Sequence, residues 1–347
     1  MKIVITTVQA PFIKGGAEFL ADNLKNALIL EGHEAEIVTM PFMDNPIDVI
    51  EDHMLMARLM KVEHIWAGHS DLCIGLKFPA YYIPHSNKVV WALHQHRAAY
   101  DLFDTEFSNI KNTAQGNAIR NKIINADNIY LKEAKRIYTI ADNVSNRMEK
   151  YNQISAQTLY HPCPDMDRLG CAEYENYILM PSRINITKRQ MLAIESMCKV
   201  KSDLKLYIVG GADNVEETDK MLNFIKEKKL SNRIKYFNYV SQEEKIKLYA
   251  NARAVLFIPL DEDYGYISLE ALASSKAVIT AKDSGGPLEF VENNKNGLIV
   301  DSTPDEIARA IDTFVSETQA KEWGRNSLKR LKDMNITWKN VVKELTK

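Results

Sequence analysis

The chain has 347 residues, 46% of them hydrophobic and 26% charged, the make-up of a globular protein that can bury a large core. At about 150 residues per domain, this length favours two domains over one. With 44 basic and 46 acidic side chains the net charge is −2, so bulk charge gives no reason to expect a nucleic-acid partner.

Residues 2–7 form an apolar, β-branched run that predicts a first strand. They lack the basic region and long apolar core of a signal peptide, and no stretch approaches the roughly 18 apolar residues of a membrane span. A loop through Lys14-Gly15-Gly16 follows. A helix is expected from about Ala17 to Glu31, with Leu20, Leu24, Ala27 and Leu28 on one face. Further strands are predicted at 36–39, 72–75, 88–93 and 136–140. His161-Pro162-Cys163-Pro164 and the polar stretch to Glu175 predict a linker, because proline suits neither a helix interior nor a central strand. A second series then places strands at 177–180, 206–209, 234–237, 254–258, 277–280 and 297–300.

Short β-branched runs alternating with amphipathic segments indicate parallel sheets covered by helices. The expected fold class is α/β, with two Rossmann-like doubly wound domains, 1–163 and 164–329, facing across a cleft. A C-terminal helix at about 330–347 is expected to cross back onto the first. Ligands of such sheets bind beyond the carboxyl ends of the strands, so the cleft is the expected site. Cys73, Cys163, Cys171 and Cys198 form no CxxC pair and have no histidines at zinc spacing. They predict reduced thiols and a cytoplasmic location.

The densest polar cluster is Pro259-Leu260-Asp261-Glu262-Asp263-Tyr264-Gly265-Tyr266-Ile267-Ser268-Leu269-Glu270-Ala271. It follows a buried strand and opens a helix, whose amide-rich, positive end suits an anion such as a diphosphate. Gly265 allows close backbone approach. Taken alone, Glu262 reads equally as a solvated loop acid and Glu270 as a helix-start residue. A second cluster, Pro181-Ser182-Arg183-Ile184-Asn185-Ile186-Thr187-Lys188-Arg189, also follows a strand. There Arg183 and Lys188 can bracket a phosphate, the first as a fork and the second as a point charge. Gly15-Gly16 is not a GxGxxG fingerprint and also reads as a plain turn.

Together these motifs resemble glycosyltransferase family 4, the retaining nucleotide-sugar enzymes of GT-B fold, and the stretch from Trp91 to Asp101 with the loop from Pro79 to Asn87 resembles its bacterial surface-polysaccharide type. The resemblance runs through Gly15-Gly16-Ala17-Glu18, Arg183 with Lys188, Glu262 to Glu270 with seven residues between, Ser284-Gly285-Gly286-Pro287-Leu288-Glu289 and Asn296-Gly297-Leu298. It implies a nucleoside-diphosphate sugar as donor, a glycan or lipid-linked acceptor, and neither metal nor resident cofactor. By the same resemblance, Glu270 contacts the donor ribose and Glu262 a hydroxyl of the transferred hexose. Tyr264, Gly265 and Tyr266 offer backbone amides, while Arg183 and Lys188 neutralise the leaving diphosphate and Gly15-Gly16 completes its cradle. The base lies near Tyr239 and Val240, and His94, in His94-Gln95-His96-Arg97, stands beside the anomeric centre. Ser182 and Asn238 stand where many members have glycine.

Asp261-Glu262-Asp263 also spells the Asp-x-Asp of metal-dependent glycosyltransferases, against which the two βα series and Glu270 argue. Asp283-Ser284-Gly285-Gly286-Pro287 imitates the nucleophile motif of trypsin-like proteases, which are disulfide-bearing β-barrels. A sugar-nucleotide epimerase of the same architecture is the alternative activity. Residues 111–136 carry six basic and two acidic side chains, a net +4. That suffices for weak peripheral attraction to the inner face of the cell membrane if the charges share a face.

Overall fold

The first strand, β1 (Lys2–Gln9), buries Ile3, Val4, Ile5, Thr6 and Thr7 in succession, the pattern of a strand covered by helices on both sides. A computed structural model describes the whole chain except Pro11, Ile13, Lys14, Ala67, Asp213, Asn214 and the side chain of Val215. The predicted loop residue Lys14 therefore lies outside the described residues. The chain divides into two compact units, Met1–Pro164 with Thr337–Lys347, and Asp165–Ile336.

In the first unit, β1 leads to α1 (Gly16–Leu30), β2 (Glu34–Pro41) and α2 (Val49–Leu59). A small antiparallel hairpin follows, β3 (His64–Ile65) and β4 (Gly68–His69). Then come β5 (Leu72–Gly75), β6 (Lys88–Ala92), α3 (Ala114–Tyr130), β7 (Arg136–Thr139), α4 (Asp142–Asn152) and β8 (Gln157–Thr158). The parallel sheet runs β2-β1-β5-β6-β7-β8. Its strand order reverses between β1 and β5, which makes their carboxyl ends the expected ligand position of this unit.

The second unit repeats the plan. It comprises β9 (Tyr177–Pro181), α5 (Gln190–Met197), β10 (Lys205–Val209), α6 (Val215–Glu227), β11 (Ile234–Phe237), α7 (Gln242–Asn251) and β12 (Ala254–Leu256). After these come α8 (Tyr266–Ala273), β13 (Val278–Ala281), α9 (Pro287–Phe290), β14 (Gly297–Val300), α10 (Pro304–Thr313) and α11 (Glu317–Asp333). Its parallel sheet runs β11-β10-β9-β12-β13-β14 and reverses between β9 and β12. The core gathers Ile178, Met180, Ile208, Leu256, Ile279 and Ile311. α12 (Trp338–Leu345) returns to the first unit and packs on α1, with Trp338 stacked on His161 and meeting Trp91 edge-on.

The expected α/β class of paired doubly wound sheets is what the chain adopts. The expected strand 254–258 is shorter, ending at Leu256, although Phe257 still donates to the Ile279 carbonyl at 2.9 Å. Three of the six basic side chains of 111–136 are engaged within the first unit. Arg120 donates to the Ala99 carbonyl and covers Phe103, Lys122 pairs with Glu51, and Arg136 bonds the Glu344 and Leu345 carbonyls. Asp127 is fully buried. Among the described residues, no helix is long and apolar enough to cross a membrane.

Candidate functional site

The loop after β9 is built by its own polar side chains. Buried Gln190, at the head of α5, donates to Ser182 Oγ and to the Arg183 carbonyl, both at 2.9 Å. Asn185 Oδ1 accepts from the Thr187 amide at 2.9 Å and hydroxyl at 2.8 Å, closing a 3₁₀ turn over Ile186–Lys188. These bonds leave Arg183 exposed at the strand end and carry Lys188 towards the neighbouring strand. Arg189, with φ +60°, turns the chain into α5 and grips both Asp283 oxygens at 2.7 and 2.6 Å. That guanidinium holds the Asp283 carboxyl below its ordinary range.

The segment after β12 is pinned from both sides. The Leu260 amide donates to the Thr187 carbonyl at 2.7 Å, the Asp261 amide to Asp283 and the Glu262 amide to Ser284, both at 2.9 Å. The Gly286 amide returns a bond to the Glu262 carbonyl at 2.8 Å. A Cβ on Gly286 would lie 2.6 Å from the Tyr264 carbonyl oxygen, so only glycine fits there. Gly265 takes φ +90°, the left-handed turn that starts α8, with Phe257 and Pro287 packed against it. The result is an ion pair between Lys188 Nζ and Glu262 Oε2, with the ammonium 5.7 Å from the Phe257 ring centre. Lys188 and Glu262 thus meet at the point where the sheet order reverses, between β9 and β12.

Glu270 lies on α8 and is 5% exposed. A carboxylate so buried needs charge or hydrogen-bond partners, and α7 supplies both. Lys245 Nζ donates to Oε1 and the Tyr249 hydroxyl to Oε2, each at 2.6 Å. Tyr264 is buried edge-on against Phe290, and Tyr266 is half-buried beside it. Tyr239 is 87% exposed and makes no hydrogen bond among the described residues; Val240 beside it is half-buried. Sequence reasoning missed Lys245, Tyr249, Gln190 and the Arg189–Asp283 pair.

Gly15, Gly16 and His94 belong to the first unit. The Gly15 amide donates to Glu18 Oε2 at 2.8 Å, and Gly16 opens α1. His94 is half-buried just past β6, with Nδ1 2.6 Å from the Gln95 carbonyl oxygen. Beneath it lies a buried network. Asp127 accepts from the hydroxyls of Tyr81 (3.0 Å), Tyr82 (2.7 Å) and Tyr100 (2.6 Å), and from Gln95 Nε2 (3.2 Å). Burial raises the Asp127 carboxyl above its ordinary value, and these donors act in the opposite direction.

Doubly wound units of this kind, superposed along the whole chain, place the protein in a fold class. The chain matches a sucrose-phosphate synthase from Thermosynechococcus elongatus over 99% of its length and 97% of that chain, with a TM-score of 0.78 at 15% identity. It matches Anabaena HepE, solved with UDP and glucose, over 100% and 98%, with a TM-score of 0.72 at 16% identity. At such identities these likenesses show the fold, which is GT-B. In the second unit, residues 165–330 match the family Glycosyl transferases group 1. Human alpha-1,3/1,6-mannosyltransferase ALG2 is 27% identical over 42% of the chain and 38% of its own length. An uncharacterized glycosyltransferase of Methanocaldococcus jannaschii is 26% identical over 51% and 45%. The chain thus spans less than half the length of these curated relatives.

Proposed function

We propose that the protein is a metal-independent, retaining glycosyltransferase that moves a hexose-type sugar from a nucleoside-diphosphate sugar to a glycan or lipid-linked acceptor. One observation carries the reading. In a domain of the glycosyl transferases group 1 family, Lys188–Glu262 and buried Glu270 stand after β9, after β12 and on α8, about the sheet's reversal point. The named mannosyltransferase relative and a like fold solved with UDP and glucose support a sugar-nucleotide donor. They give no support to the epimerase alternative. Four free cysteines, two of them buried, fit a cytoplasmic location.

Cleaving the donor's glycosidic bond leaves negative charge on the departing diphosphate, so the chief catalytic demand is electrostatic. Arg183 and Lys188 meet it as cations held by a hydrogen-bonded loop, and the N-terminal amides of α8, next to Tyr264-Gly265-Tyr266, add partial positive charge. Glu262, held by Lys188, is the acceptor for a sugar hydroxyl. Glu270, fixed by Lys245 and Tyr249, receives the ribose. Tyr239 and Val240 flank the base, and the resemblance assigns the diphosphate to Gly15-Gly16 and the anomeric carbon to His94. The departing phosphate can itself take the acceptor proton, so no protein nucleophile is required.

A thermal-shift screen with UDP, GDP, CDP and their sugars tests this directly, since a bound ligand stabilises by mass action. One nucleotide and its sugar should raise Tm, Glu270→Ala should shrink that rise, and chelator should leave turnover intact. A screen with no shift from any of them, or turnover restored only by a divalent metal, would overturn the reading.

A further inference from the structure

Two polar groups of the first unit lack partners at the place where doubly wound sheets bind ligands. Lys77 lies two residues past β5, beside the β1–β5 reversal, and is half-buried. Its ammonium makes no hydrogen bond or ion pair among the described residues. His96 lies just past β6, is 8% exposed, and its Nε2 is buried with no hydrogen-bond partner among them. Its ring is walled by Phe78 at 5.1 Å and Phe42 at 6.0 Å between centroids.

The His96 ring cannot easily turn to find a partner, because the chain on either side of it is anchored. Gln95 bonds Asp127 and, at 2.7 Å, Asn152 Oδ1. Tyr100 bonds Asp127 and receives Asn152 Nδ2 at 3.2 Å. The charges acting on His96 come from His94 and Lys77, and no carboxylate is among them. The other cations of this rim are engaged. Arg97 bonds Asp101 at 2.5 Å through Nη2, and Arg147 reaches the other Asp101 oxygen at 3.7 Å. Asp142 is turned to the Thr158 and Tyr160 hydroxyls. The partly exposed Lys77 side chain keeps its ammonium in reach of an incoming anion, and the anchored His96 ring, whose Nε2 is unused, can add a directional hydrogen bond.

We propose that Lys77 and His96 form a subsite of the first unit for a phosphate group, so that the acceptor is recognised through a phosphate it carries. The acceptor half of this statement rests on the glycosyltransferase reading; the phosphate subsite does not. A neutral hydroxyl would satisfy His96 and leave Lys77 uncompensated, whereas a phosphoryl oxygen pair satisfies both. Two sources share this chemistry, a lipid phosphate headgroup and a water-soluble phosphoester.

The test uses full-length, ¹⁵N-labelled protein titrated with sodium phosphate at pH 7 and constant ionic strength. The His96 imidazole signal is identified by its loss in His96→Phe. A saturable shift is expected. Its dissociation constant should rise about tenfold in Lys77→Met, as loss of a charge-assisted bond implies, and recover in Lys77→Arg. It should be unchanged in Lys199→Met, which alters only a surface pair with Asp305 in the second unit. No saturable shift, equal affinity in Lys77→Met, or loss in Lys199→Met would overturn the subsite. Sedimentation with phosphatidylcholine vesicles, with and without phosphatidic acid, separates the sources. Lys77-dependent binding to the acidic vesicles indicates a lipid phosphate; a Lys77-dependent shift without vesicle binding indicates a soluble phosphoester. A Lys77-dependent phosphate shift alongside a blank nucleotide screen would sink the transferase reading alone.

Discussion

The two units treat their polar groups in opposite ways at equivalent positions. In the second unit, the cations around the strand ends are matched to acids, with Lys188 on Glu262, Lys245 on Glu270 and Arg189 on Asp283. In the first, a buried Asp127 network is satisfied underneath, while Lys77 and the His96 Nε2 stand above it unmatched. On the proposed reading, these ion pairs keep carboxylates where a donor's hydroxyls would be met. A buried nitrogen without a partner, such as His96 Nε2, costs stability in the free protein, and a ligand that completes it would recover that cost. The difference therefore separates a site that fixes geometry from one that waits for charge.

The sharpest way to break the comparison is Glu270→Ala. It removes the acceptor of two 2.6 Å bonds and leaves Lys245 without its acid. Transfer should fall by about 100-fold or more and nucleotide affinity by about tenfold, the range expected for charged hydrogen bonds. Measured kcat/KM and nucleotide affinity near those of the unmutated protein would show that Glu270 is only a packing group. Next in size is Asp127→Ala, which strands three tyrosine hydroxyls and a glutamine amide in the core. It should destabilise by about 3–5 kcal/mol, read from denaturant melts, whereas Asp127→Asn should lose less because it keeps an acceptor oxygen.

A third prediction concerns pH. Burial holds the His96 imidazole down to about 4, against 6.5 for an ordinary histidine. The unfolded chain therefore takes up a proton below pH 6.5 that the folded unit refuses. Stability should fall as pH drops from 6.5 towards 4, by up to about 3 kcal/mol from this group. His96→Phe should flatten that part of the Tm–pH curve. An unchanged slope would mean that the ring is protonated in the folded state, with a partner for the charge.

Strands were readable wherever burial forced a run of apolar or β-branched residues. The runs at 72–75, 177–180 and 297–300 are strands within a residue of their expected ends. β8 and the β3–β4 hairpin escaped because two-residue strands leave no periodicity to detect. Glu262 and Lys188 were assigned to one donor site only through the family resemblance, and their ion pair was not legible, since 74 positions separate them. The partners of Glu270 were not legible at all. Lys245 and Tyr249 sit on a different helix, four apart within an otherwise ordinary amphipathic stretch. Lys77 shows the same limit from the other side, because an isolated lysine in a loop reads as solvated until the sheet order places it at the reversal point.

The smallest expected effect tests whether the second unit's ion pairs position catalytic groups or merely decorate the surface. Asp283 is 45% exposed in its side chain, so its bidentate pair with Arg189 is screened by water and salt and contributes little to stability at pH 7. Its carboxyl is held low by Arg189. That contribution is present above the ordinary carboxylate value and is lost as pH falls through the lower, folded one. Asp283→Asn should therefore leave Tm at pH 7 nearly unchanged and flatten only the most acidic part of the curve. Kinetics carry the decisive contrast. Arg189 adjoins Lys188 and turns the chain with φ +60°, so loosening its grip should let the Lys188 ammonium wander. A modest drop in kcat with KM unchanged is expected if Lys188 acts on the leaving diphosphate in the transition state. A rise in KM alone would mean that the loop contributes ground-state binding only, and the second unit's matched charges would then be a docking surface for the donor with no share in the chemistry.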